Sequence, residues 1–298
     1  MSDKYPHLND QASILAEADA KDRVRAIKAG IRVTYDRAKE VLAHMEDLFE
    51  HPPIDRMPNL LIVADSNNGK TWILRTFMEK HPPDPNPDGD AAIVPVVMVS
   101  APPTPDIGEL CASILTEVNA PYRESADDFE RMSAVKRVLQ AIGTRMLIID
   151  EIHDMLTGSA KKQRELRNAI KGLGNYLKIS IVAAGIEEAY TVFSTDPQLS
   201  NRFYPEPLPL WSLDKNLGRL LASIERKLPL RRPSNLKSPE MLQKIMFMSE
   251  GTIGGIYDVL KIAAPKAIAD GSECISLDLL NGLTWTKPSE RKSRPALA

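Results

Sequence analysis

Cysteine is nearly absent: two in 298 residues, Cys111 and Cys274. They have neither the paired spacing of a metal site nor the density of a disulfide framework, so they read as core thiols of a reducing compartment. A dominant charge is missing too. The formal net charge is −2, so any contact with nucleic acid has to come from a local patch. No run approaches the roughly eighteen apolar residues of a membrane-spanning helix. The opening "MSDKYPHLNDQAS" holds no charged segment followed by an apolar one, so no secretory leader is expected there and the cytoplasm is the expected compartment. Internal repeats are not evident. What remains, at 43% hydrophobic and 26% charged residues, is the composition of a globular chain large enough for one or two domains.

Residues 1–57 are expected to be mostly helical. Apolar residues fall at Val24, Ile27 and Ile31, then at Val41, Leu42, Met45, Leu48 and Phe49, near helical spacing, and His51-Pro52-Pro53 ends the segment. From Leu60 the pattern changes. Short apolar runs at 60–63, 93–99, 146–149 and 179–183 alternate with helical stretches. None shows the in-out alternation of a one-sided sheet, so they are expected as strands of a parallel α/β sheet buried on both faces. "HPPDPNPDGD" (81–90) and "SAPPTPD" (100–106) are loops by composition. Beyond Trp211 no strand is expected, and 213–228, 239–249 and 253–268 read as helices. The basic, proline-containing end, 287–298, is expected to be disordered. The expected plan is an N-terminal helical extension (1–57), an α/β core (58–212), a C-terminal helical lid (213–286) and a basic tail.

Chemistry enters at "NLLIVADSNNGKTWILRTF" (59–77). Strand, small-residue loop, Gly-Lys-Thr, then helix is what binding a polyphosphate requires. Loop and helix N–H groups point at the phosphate oxygens, and the helix dipole favours their charge. Asp65, Ser66, Asn67, Asn68, Gly69, Lys70, Thr71 and Trp72 are the expected nucleotide-binding residues. Lys70 can reach the β- and γ-phosphates, and Thr71 can ligate Mg²⁺. Ala64 stands where such loops begin with glycine, which is tolerable if its φ is negative. A Gly-Lys-Thr falling by chance at a helix start is the competing reading, and the second element decides against it. "RMLIIDEIH" puts Asp150 and Glu151 at the end of a buried strand, where carboxylates of an α/β sheet face the ligand crevice. Asp150 can hold Mg²⁺ through water, and Glu151 can deprotonate the water that attacks the γ-phosphate. The pair could otherwise merely cap the next helix. Together, loop and acid pair point to an ATP- and Mg²⁺-dependent triphosphatase.

The spacing and the Asp-Glu pair resemble the AAA+ group of P-loop triphosphatases. "RMPNLLIVADSNNGKT", "LIIDEIHDMLTGSAKKQRELRNAIKGLGN", "SNRFYPEPLPLW" and "SEGTIGGIYDVLKIAAPKAI" further resemble the TniB/TnsC family of transposition regulators, over roughly residues 20–285. The resemblance implies an AAA+ ATPase that oligomerises as a ring or filament on double-stranded target DNA and recruits a transposase and a target-selection protein of the TniQ type, with no membrane involved. It also implies a site shared between subunits. Arg202 would then reach a neighbour's γ-phosphate, a role suited to a planar fork that stays charged. Three positions depart from the AAA+ pattern: Ala64, Ile186 where a polar sensor is usual, and Gly254 where the lid commonly has arginine. Ile186 implies slow or partner-stimulated hydrolysis, since an apolar side chain cannot hold the attacking water. For DNA phosphates the candidates are Lys161, Lys162, Arg164 and Arg167, with "SAPPTPD" as a second pore loop, "PLRRP" (229–233) and the tail. A helicase loader of the same AAA+ class, or a metabolic P-loop kinase, remain as alternatives.

Overall fold

The computed structural model describes residues 4–89, 91–194 and 200–292. In chain order the elements are α1 (Asp10–Glu17), α2 (Ala20–Ala29), α3 (Asp36–Glu50), β1 (Asn59–Val63), α4 (Lys70–Lys80), β2 (Val96–Ser100), α5 (Ile107–Glu117) and α6 (Asp128–Ala141). Then come β3 (Met146–Asp150), α7 (Ala160–Leu177), β4 (Ser180–Gly185), α8 (Ala189–Ser194), β5 (Phe203–Pro207), α9 (Lys215–Glu225), α10 (Pro239–Ser249), α11 (Ile253–Ala269) and α12 (Leu277–Asn281).

The five strands form one parallel sheet in the order β2-β3-β4-β1-β5. Strands β1, β3 and β4 are buried at every position, the two-sided burial expected of continuous apolar runs. Strand β5 was not expected, and its sequence explains why. "FYPEP" carries two prolines and buries only Phe203 and Glu206. It is an edge strand paired with β1 alone. Its ladder is anchored by Arg202 O, which accepts from Asn59 N–H at 2.8 Å, and by Leu208 N–H, which donates to Val63 O at 2.8 Å. Even-numbered residues therefore face β1, and the missing donors of Pro205 and Pro207 fall on the free side, where proline is tolerated.

Contacts divide the chain into two units, Met1–Tyr35 with Leu210–Ala298, and Asp36–Pro209. The expected single N-terminal extension is thus parted between them. Helix α3 belongs with the sheet: Phe49 meets Phe77 of α4 edge-on at 6.0 Å and lies 4.1 Å from the His81 ring. Helix α2 belongs with the C-terminal helices, where Ile27 is buried among Leu217, Leu221, Ile256 and Leu260. The start of the tail is also ordered, contrary to expectation. Lys287 lies 3.4 Å over the Phe247 ring, and Arg291 lies 4.7 Å over Trp285. Residues 293–298, with Arg294, are outside the described ones.

Arg23 is the pin of the smaller unit. It is almost fully buried, donates to Pro229 O through Nε and Nη2 at 3.0 and 2.8 Å, and pairs with Glu273. The hydrogen bond from Arg23 holds the Glu273 carboxyl below its ordinary value of 4.5. Arg23→Met removes both side-chain donors to Pro229 O and leaves Glu273 with Arg231, whose N–H donates to it at 3.2 Å. Breaking a buried pair from one side costs about 3–5 kcal/mol. Urea unfolding is expected to show that loss at neutral pH. Because the folded carboxyl is depressed, its contribution is complete above 4.5 and disappears as pH falls through the lower folded value, so the difference between variant and wild type should shrink in acid.

Candidate functional site

The turn between β1 and α4 uses two residues with positive φ, Asn67 at 61° and Gly69 at 92°. Asparagine tolerates that region and glycine adopts it freely, so the order Asn-Asn-Gly is set by backbone geometry. Ala64 is not among the positive-φ residues, which is why the glycine usual there is dispensable. Asn68 has a different task. It is buried, and its amide donates to Leu208 O at 2.9 Å and Pro209 O at 3.2 Å, tying the loop to the chain leaving β5. Its side chain faces the scaffold, a role the sequence did not reveal. Asp65, Ser66 and Asn67 are exposed, and Trp72 is half-buried on the first turn of α4.

Helix α4 starts without a side-chain cap. By contrast α1, α2, α5, α6 and α7 begin with an Asn, Asp or Ser side chain accepting from the first turn, as do α9 to α12 with Asp, Ser or Thr. At α4 the N-cap is Gly69, so no capping side chain competes there with an anion. Lys70 is buried beside them, its Nζ donating to Ala64 O at 2.7 Å and Asp65 O at 3.1 Å. Burial pushes its ammonium below the ordinary lysine value, against the opposing pull of Glu151, Asp150 and Asp65. A cation held only by carbonyls is poised to exchange them for phosphate oxygens.

Strand β3 delivers the acid pair beside this loop. The Thr71 hydroxyl donates to Asp150 Oδ2 at 2.9 Å, across 79 residues of sequence. Hydroxyl and buried carboxylate form a hard-oxygen donor set that fits Mg²⁺, which is usually held by one or two protein oxygens, water and phosphate. Among the described residues no group of three or more His, Cys, Asp or Glu is placed to hold a metal ion. Glu151 follows in a left-handed conformation (φ 54°, ψ 37°), rare for a non-glycine residue and strained. Its N–H donates to Asp150 Oδ1 at 2.9 Å. The abrupt turn keeps Asp150 buried while leaving the Glu151 side chain half exposed.

Arg202 stands at the other end of the sheet. Phe203 is in register with Asn59 and Pro207 with Val63, so Arg202 lies beyond the start of β1 while the loop leaves its end. The five residues of β1 lie between them, a separation of roughly 20 Å along the strand. Asn59 fixes this corner, donating its N–H to Arg202 O and accepting from Ile181 N–H through Oδ1, both at 2.8 Å. Arg202 Nη1 donates to Asn175 Oδ1 at 2.7 Å. The loop and acid pair are thus brought together, and Arg202 is not. The residues just before Ser200, 195–199, lie outside the described ones. On α7, Lys161, Lys162 and Arg164 are exposed, while Arg167 is half-buried with Nε enclosed and without a hydrogen-bond partner. The two candidate pore loops meet: Thr157 Oγ1 donates to Pro103 O at 2.9 Å.

A family model described as "Bacterial TniB protein" matches residues 23–213. The chain belongs to the TniB family. No curated protein matches it. Among solved structures it is similar to the Aeropyrum pernix ORC2 protein in ADPNP–ADP complexes, at 15% identity over 86% of this chain and 70% of that one, TM-score 0.62. It is similar to Cdc6p from Pyrobaculum aerophilum, at 16% identity over 83% and 66%, TM-score 0.58. A third likeness is to the Aeropyrum pernix ORC1 protein in complex with DNA, at 13% identity over 84% and 64%, TM-score 0.50. The TniB member therefore has the fold of the P-loop AAA+ ATPases. At such identities the likeness speaks of fold alone.

Proposed function

We propose that this TniB-family protein is an ATP-dependent DNA-binding regulator of transposition. It binds ATP with Mg²⁺ at residues 65–72, oligomerises on duplex DNA in the cytoplasm and presents a surface to a transposase and a TniQ-type targeting protein. The observation that carries the reading is the meeting of Lys70, Thr71 and Asp150 around an uncapped helix, with Arg202 at the opposite end of the sheet. Thr71 and Asp150 would hold Mg²⁺, which would supply positive charge to the phosphates when bound. Lys70 bridges the β- and γ-oxygens, and Glu151 takes the proton of the attacking water. Arg202 is too far from its own loop to serve it, so it completes the site of a second subunit. That separation also argues against a monomeric kinase. Lys161, Lys162 and Arg164 contact DNA phosphates, with Arg167 set behind them. The ORC1 structure in complex with DNA shows that a protein of this fold binds DNA, without bearing on these residues.

Hydrolysis is slow, because Ile186 offers no hydrogen bond to the water. Glu151→Gln tests the site directly. The variant is expected to bind ATP as the wild type does, since Asp150 and Lys70 remain. Its turnover should fall about 10²-fold or more, the contribution of a general base. Electron microscopy should then find the assembled state persisting on DNA. Wild-type turnover in the variant would remove Glu151 from this role.

A further inference from the structure

The end of β4 is where the site lacks a polar group: Gly185 is followed by Ile186. Against that end lies an imidazole. His153 sits in the 3₁₀ turn Ile152–Leu156, three residues beyond Asp150. Its Nδ1 is enclosed and makes no hydrogen bond, although Glu151 Oε2 is 3.4 Å away. Its Nε2 lies 4.0 Å from Asp154 Oδ1. A buried ring nitrogen without a partner is costly unless another state of the protein satisfies it. Gly185 makes its seat. A Cβ there would stand 3.2 Å from His153 Nδ1 and 2.8 Å from Ala189 Cβ, so any larger residue crowds the ring. The same glycine accepts from Ala64 N–H at 3.1 Å, which joins this corner to the phosphate loop.

We infer that His153 is the positioning residue for Glu151 and makes up in part for the polar group absent at Ile186, an inference that rests on the ATPase reading above. In the nucleotide-bound state Nδ1–H donates to Glu151 Oε2 and aims the carboxylate at the water. As the water oxygen bonds to the γ-phosphorus, its proton passes to Glu151, the bond to the β–γ bridging oxygen breaks and ADP leaves. His153 moves no proton. The glycine at 185 and the histidine at 153 are therefore one device, a sensor carried on the turn after β3 instead of on β4.

Asparagine and glutamine separate this role from bulk packing, because the asparagine amide can place N–H near Nδ1 whereas glutamine places it near Nε2. His153→Gln is expected to lower kcat for ATP about 10²-fold, the scale for one positioned group, with KM within about twofold. His153→Asn should restore most of that loss. On a Glu151→Gln background, His153→Gln should add no further loss, since a residue acting through Glu151 has nothing left to position. Equal losses in the Asn and Gln variants, or additive losses in the double variant, would overturn the inference while leaving the ATPase reading intact. A wild-type protein that binds no ATP by calorimetry, or a Glu151→Gln variant that turns over normally, would instead overturn that reading and the inference with it.

Discussion

Arg202→Ala protein is expected to bind ATP as a monomer and to lose turnover on DNA by about 10³-fold, the low end of the 10³–10⁵ found for arginine fingers in other triphosphatases. The low end applies because Ile186 already limits the intact site. Nothing in the protein's own phosphate site should change, since Arg202 lies beyond the opposite end of β1 from the loop. The described hydrogen bond of its guanidinium, to Asn175 Oδ1, is exposed and contributes little to stability. Assembly should fail together with hydrolysis, because one subunit's γ-phosphate charge would lack its neighbour's guanidinium. Light scattering with DNA and a non-hydrolysable ATP analogue reads the first effect, and steady-state turnover reads the second. Mixing Arg202→Ala with Lys70→Ala protein is the discriminating experiment. Each holds what the other lacks, so a mixed interface pairing an intact loop with an intact Arg202 should recover activity. Absence of recovery, with both variants folded, would mean that Arg202 works within its own subunit or not at all.

Lys70→Ala should remove nucleotide binding. Hydrogen bonds to charged groups are each worth about 1.5–3 kcal/mol. Losing Nζ contacts to two phosphate oxygens therefore weakens ATP affinity about 10²-fold or more, at 1.4 kcal/mol per tenfold. The folded protein itself should not suffer. Loss of the Nζ donors to Ala64 O and Asp65 O is offset by removal of a charge that burial disfavours, so the unfolding midpoint without nucleotide is expected to change little. A calorimetric titration that shows undiminished ATP affinity in a folded variant would refute the assignment of the loop.

The sequence by itself determined the parallel α/β class, four of the five strands, and the strand ends from which the Asn-Asn-Gly-Lys-Thr turn and the Asp150-Glu151 pair leave. These are legible because their signals are local. An apolar run buried on both faces marks its own strand, and Asn67 and Gly69 mark the two positive-φ positions of the turn. Helices α10 and α11 announce themselves equally, through Ser238-Pro239 and Thr252 at their starts. Strand β5 stayed hidden because it buries only Phe203 and Glu206, too little to write an apolar run, and its prolines read as loop. Only the tertiary structure decided the partition of the N-terminal helices. The apolar stripes of α2 and α3 look alike in sequence, yet Arg23 finds Pro229 O some 206 residues away while Phe49 finds Phe77. Distance along the chain also hid the task of Asn68, whose acceptors are 140 and 141 residues downstream, and the seat that Gly185 makes for His153. A residue's type says which bonds it can make; which partner it meets is settled by the packing of segments that the chain itself keeps far apart.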